Sequence, residues 1–156
     1  MKKLFVILFA AVLALGAFAG CSSKSEPEAS QEPESATETI EHHFDYEGIV
    51  CDATVDVSGG WDADFGNAAI YIYNEKKTDD SEAVAHAFVI DREEYDLQVA
   101  DLKEYYDVDE VGGAFIGKDE DGNVRYITFV NDEVYLLIQI DHSVDYNEVI
   151  SRINVH

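Results

Sequence analysis

Basic residues are scarce in this chain. Ten Lys and Arg stand against 33 Asp and Glu, for a formal charge of −23. That deficit argues against a nucleic-acid binder, because phosphates need Lys and Arg partners. It also argues against a domain that lies flat on anionic lipid. Attraction of cations, a basic partner, or simple solvation by repelling charges all stay open.

Cysteine is nearly absent as well, with only Cys21 and Cys51. A disulfide-dense scaffold and a cysteine-rich zinc site are therefore excluded. His42, His43, His86, His142 and His156 show none of the zinc-ligand spacings. No Gly-x-Ser-x-Gly elbow is present, so Ser58-Gly59-Gly60 reads as a turn and not as a nucleophile. Long apolar runs are missing too. The longest, Leu4 to Phe18, falls short of the about 20 residues that a membrane-spanning helix needs.

That short run is still informative. Met1-Lys2-Lys3 supplies a basic start and Leu4 to Phe18 an apolar middle, the pattern of an export signal that is removed. Two cuts compete at its end. Ala17-Phe18-Ala19 fits the small-x-small rule for cleavage before Gly20. Phe18-Ala19-Gly20-Cys21 resembles the lipobox of bacterial lipoproteins, with small residues at the two positions before the cysteine. Phe18 departs from the Leu usual in that family. The resemblance implies a signal peptide of residues 1–20, a diacylglyceryl thioether on Cys21, and palmitate-type chains that hold the protein to the membrane. The location implied is the outer face of the bacterial cytoplasmic membrane. At about 0.8 kcal/mol for each buried methylene, two or more chains anchor almost permanently. Under the other cut Cys21 stays a thiol and is free to bridge to Cys51 in an oxidising space.

Ser22 to Glu41 holds six Glu, five Ser, two Thr and both prolines, with Ile40 the one large aliphatic residue. Such a segment buries too little surface to offset its ordering entropy. Residues 21–43 are therefore expected to form a disordered, lipid-anchored tether, with an average reach of about 25 Å for twenty flexible residues.

From Phe44 the texture changes. Ile49, Cys51, Ala53, Val55 and Val57 share one parity and predict a half-buried strand. Ala69 to Tyr73, Ala83 to Ile90, Ala114 to Lys118, Asn123 to Val130 and Glu133 to Ile140 predict further strands, with Asp121-Gly122 as a hairpin dipeptide. Asp91 and Glu94 have capping-box spacing, and Tyr95, Val99, Leu102 and Tyr106 share one helical face. A helix over Arg92 to Tyr106 follows. Asp145 and Glu148 repeat the spacing ahead of a short closing helix through Tyr146, Val149, Ile150 and Ile153. The expected fold class is α+β: residues 44–156 as one extracytoplasmic domain, an antiparallel sheet of five or six strands with two helices packed on one face. The ending, together with Trp61 after Gly60, resembles PsbP and Mog1-like proteins, which include bacterial lipoproteins. That likeness covers part of the domain and implies no function.

Two sets of side chains stand out as sites. Asp62, Asp64 and Asn67 offer oxygens to a hard cation such as calcium, although the EF-hand pattern is missing. Asp119, Glu120, Asp121 and Asn123 form a second acidic loop, with Gly117 where the first EF-hand ligand would fall. Trp61, Phe65, Tyr71 and Tyr73 form an aromatic set that fits either a core or a platform for a sugar or peptide. The expectation is a membrane-anchored binding module for an envelope protein or peptide, with no catalytic residues, cofactor or nucleic-acid partner. The alternative is a cation-binding or cation-responsive acidic surface domain.

Overall fold

The computed structural model describes residues 37–156. The export signal, the proposed lipid site Cys21 and the tether up to residue 36 lie outside the described residues. β1 (Thr39–Tyr46) and β2 (Ile49–Asp56) form a hairpin paired along its whole length, from Thr39↔Asp56 to Tyr46↔Ile49. Its two-residue loop has positive φ at both Glu47 (50°) and Gly48 (87°). That geometry matches the right-handed twist of paired strands.

Seven further strands make one antiparallel sheet. They are β3 (Asp62–Phe65), β4 (Ala69–Tyr73), β5 (Ala85–Ile90), β6 (Asp107–Val111), β7 (Ala114–Lys118), β8 (Val124–Phe129) and β9 (Tyr135–Ile140), in the order β3-β4-β5-β9-β8-β7-β6. Helix α1 (Arg92–Tyr105) lies between β5 and β6, and α2 (Tyr146–Arg152) follows β9. β10 (Ile153–Val155) then joins β2 to complete a three-stranded sheet, β1-β2-β10.

The fold is α+β and antiparallel, as expected, but the ten strands in two sheets among the described residues correct the expected single sheet of five or six. Each missed strand hides its periodicity. β1 exposes Glu41, His43 and Asp45 and turns only Ile40, His42 and Phe44 inward, so it reads as tether. The first strand therefore starts at Thr39, ahead of Phe44. β6 is an acidic edge with Val108 alone half-buried. β3 has four residues, and β10 takes Ile153 away from the helix it was assigned to.

The helices also differ from expectation, because they pack on opposite faces of the large sheet. β5 and β9 bury consecutive residues, Val89-Ile90 and Tyr135 to Ile138, so both faces need a cover. On the inner face Ile70, Ile72 and Ile138 pack against Phe44 and Val55 of the small sheet and Val149 of α2. On the outer face Ile127 and Leu137 pack under Leu102 of α1.

Both helices start where expected. Asp91 accepts a hydrogen bond from the Glu94 amide at 2.8 Å, and Asp145 accepts one from Asn147 at 2.9 Å. At the end of α2, Arg152 donates to the carbonyls of Asp56 and Ser58, both at 3.1 Å, and lies 4.3 Å from the Trp61 ring centroid. The helix is thereby fastened to the exit of β2. His42, which falls within the expected tether of residues 21–43, is half-buried and stacks on Phe65 with centroids 4.5 Å apart.

Cys51 faces the same core and is 4% exposed. Burial, and secondarily the charge of Asp52, pushes its thiol above the ordinary range. A buried thiol with a raised pKa is a poor nucleophile. With a chromogenic disulfide reagent at neutral pH, Cys51 is expected to react slowly in the native protein and rapidly in guanidinium. Fast native reaction would show that β2 opens readily.

Candidate functional site

The outer face of the large sheet is only partly covered. Cross-strand pairs carry one row of side chains over it: Tyr71 on β4, His86 on β5, Gln139 on β9, Arg125 on β8, Gly117 on β7 and Val108 on β6. One row nearer the helix, Phe88, Leu137, Ile127 and Phe115 are all apolar and packed with α1. The change from apolar to polar marks where the helical cover stops.

Gly117 sets how closely that cover sits. A Cβ built there would lie 2.5 Å from Cδ1 of Leu102 and 3.0 Å from Cβ of Tyr106. With no side chain in the way, Leu102 becomes fully buried and Tyr106, the residue after α1, reaches the edge of the open half. The Arg125 guanidinium lies over the Tyr106 ring, 5.2 Å from its centroid.

Beyond Tyr106 the face falls into a cleft of about 310 Å³, lined by His86, Gln139, Arg125, Tyr106, Asp119 and Asp141 among others. Tyr71 flanks it, edge-on to His86 at 5.3 Å. The row side chains are half-buried, and the structure gives none of Tyr71, His86, Gln139 and Arg125 a side-chain hydrogen bond among the described residues. Groups so placed are open to a ligand or to water.

The acidic rim is built differently. Asp119 Oδ1 accepts from the amides of Asp121 and Asn123 at 3.0 and 2.8 Å, and Oδ2 accepts from the Asn123 side chain at 2.9 Å. Asp141 Oδ1 accepts from the Ser143 amide at 2.8 Å. These hydrogen bonds, from Asn123 in one case and Ser143 in the other, hold both carboxyls below the usual range. Asp119 organises the loop that was a candidate calcium ligand set by accepting three hydrogen bonds from it.

The first candidate cation set is also engaged. Asp62 Oδ2 accepts from the Lys77 amide at 3.0 Å, and Asp64 pairs with the Lys77 ammonium. Asn67 is exposed between β3 and β4. Lys77 thus sits where a bound cation would be. Among the described residues no three His, Cys, Asp or Glu are grouped to hold a metal ion.

The aromatic set is divided between faces. Tyr71 and Tyr73 point outward, opposite Asp64 and Asp62, with Lys77 over the Tyr73 ring. Phe65 pairs with Ile70 on the inner face, and Trp61 packs there under Arg152. The alternation along β3 decides this: neighbouring residues face opposite ways, so Phe65 cannot share a platform with Tyr71. Of the four, Tyr71 alone borders the cleft. His86, Arg125 and Gln139 escaped notice in the sequence, although each is a polar residue interrupting an apolar strand, in AHAFVI, VRYITF and YLLIQI. Comparison with family models, with curated proteins and with solved structures returns no match for this chain, so the cleft is read from its own residues.

Proposed function

We propose that this chain is a lipid-anchored extracytoplasmic binding module without catalytic activity, which takes a small polar ligand into the cleft over His86, Gln139 and Arg125. The observation that carries the reading is that row: hydrogen-bonding side chains from three adjacent strands, half-buried and without side-chain hydrogen bonds among the described residues. A concave site with a few convergent polar groups is where ligands bind. Hydrolytic chemistry at His86 would call for a carboxylate or nucleophile within hydrogen-bond reach. The ring contacts of His86 are instead Tyr71 and Phe88. The alternative reading, a cation-responsive acidic surface, has Lys77 between its carboxylates against it.

The anchor rests on Ala19-Gly20-Cys21 and the polar stretch after it. Cys21→Ala is expected to move the protein from the membrane fraction to the soluble one and to abolish labelling by a palmitate analogue. A wild-type chain that takes no label would remove the anchor from the proposal. For the cleft, the full chain in detergent can be titrated with the low-molecular-weight fraction of growth medium. Amide resonances of His86, Gln139 and Arg125 are expected to shift, and an unmoved row would overturn the cleft as binding surface.

A further inference from the structure

We propose that the ligand of this cleft is a zwitterion, a free α-amino acid whose carboxylate is held by Arg125 and whose ammonium faces Asp141 and Asp119. The inference rests on the cleft being the binding surface and adds the chemistry of what it takes.

Arg125 carries the argument furthest. Its guanidinium has five N–H donors in a planar fork that matches a carboxylate in two parallel hydrogen bonds. Lys77, Arg92 and Arg152 each pair with a carboxylate, whereas Arg125 has none among the described residues. Arg125 therefore keeps its charge-assisted donors available for the carboxylate of a ligand. The Tyr106 ring beneath it fixes the plane of the fork. Gln139 stands directly beside it on the next strand, with His86 beyond.

Charge decides the rest of the ligand. A multiply charged anion such as phosphate would be repelled by the negative field of the whole chain, and by Asp119 and Asp141 at the rim most of all. A zwitterion brings no net charge and presents its ammonium to those same acids. The spacing suits it. Asp141 follows Gln139 by two residues and Asp119 follows Gly117 by two, so the acids stand about 7 Å along the strands from the row that holds Arg125. One α-carbon with its two charged groups, plus a charge-assisted hydrogen bond of about 2.8 Å at each end, spans such a gap. The volume of about 310 Å³ is at the small end for ligand sites, which run from about 300 to 1,000 Å³, and suits one amino acid better than an extended peptide.

The test is an NMR titration of the isotope-labelled full chain in detergent. The probes are the twenty proteinogenic L-amino acids in pools, their α-carboxamides, their N-acetyl forms, sodium acetate and inorganic phosphate. At least one amino acid pool is expected to shift His86, Gln139 and Arg125, with the carboxamide and N-acetyl forms weaker by about tenfold or more, which is about 1.4 kcal/mol each. Arg125→Gln and, separately, Asp141→Asn are expected to weaken binding by about tenfold at an unchanged melting midpoint. Two variants in different segments, one in β8 and one just after β9, keep the test sound if one of them misfolds. Carboxamides that bind as well as the free acids, or Arg125→Gln binding like wild type, overturn the proposal. Shifts with acetate or phosphate but with no amino acid also overturn it, while leaving the cleft as the binding surface. Silence from every pool overturns it too, and the growth-medium titration then tells whether the cleft binds something else.

Discussion

Gly117→Ala is expected to lower the melting midpoint of the domain by roughly 10 °C, the effect of about 2 kcal/mol in a domain of this size. The added methyl would fall 2.5 Å from Cδ1 of Leu102 and 2.9 Å from its Cγ, distances at which something must move. Leu102 cannot yield cheaply, because it is fully buried within the cluster formed by Ile90, Ile127, Tyr135 and Leu137. The helix must therefore lift from the sheet or the strand must bend. Either movement carries Tyr106 with it, since its Cβ lies 3.0 Å from the new methyl, and Arg125 then loses the ring beneath it. A second effect thus accompanies the first: weaker ligand binding without any change to a residue lining the cleft. A calorimetric scan of Gly117→Ala beside wild type checks the first effect, and a midpoint within two or three degrees of wild type would mean that α1 is not seated as described.

The second large effect concerns β1. A fragment covering residues 37–156 is expected to melt cooperatively without detergent, whereas one covering residues 49–156 is expected not to fold. The shorter fragment lacks Phe44, which is 1% exposed and sits in the main core, together with Ile40 and the ring of His42 stacked on Phe65. Loss of a buried Phe side chain alone costs about 3–5 kcal/mol. Whole domains are stable by only about 5–15 kcal/mol. The loss also opens the edge of β2 and uncovers Cys51, Ala53 and Val55, which β1 screens along eight paired positions. Circular dichroism of the two fragments during heating is the measurement. A cooperative transition in the shorter one would return Thr39–Tyr46 to the tether.

The outcome at β1 also marks where sequence reasoning stops. The strand with a clean apolar parity, Ile49–Asp56, was legible because burial on a strand repeats every second residue, and Ala69–Tyr73 was legible from its run of β-forming residues. Helix α1 was legible from Asp91, Glu94 and its apolar face, ending one residue earlier than expected. In β1 the inward positions are Ile40, His42 and Phe44, and a histidine in the middle of so short a series breaks the signal. In β6, Asp107, Asp109 and Glu110 make an edge that resists pairing with other chains and also resists detection. The cleft was illegible for another reason. His86, Gln139 and Arg125 are more than fifty residues apart at the extremes and become neighbours only through the order β5-β9-β8, which no local pattern encodes. Tyr71 was singled out as an aromatic, yet two of its three intended companions, Trp61 and Phe65, pack on the inner face, because parity is fixed locally while the choice of face is made by the whole sheet.

The order of the small sheet governs when the domain can close as the chain is made. Val55 of β2 has Ile40 on one side, its partner within the β1-β2 hairpin, and Ile153 on the other, near the far end of the described residues. A chain emerging from its N-terminal side can zip β1 onto β2 at once, a local event of microseconds. It cannot finish that sheet until everything through α2 has followed. Contacts this distant in sequence form slowly, because the intervening loop must first be closed. During that interval Cys51, Ala53 and Val55 face water on a ready-made but unroofed hairpin, together with the open backbone edge of β2 that β10 will later take. The earliest-made part of the domain is therefore the last to be sealed, and its exposure to chaperones and proteases lasts as long as elongation does.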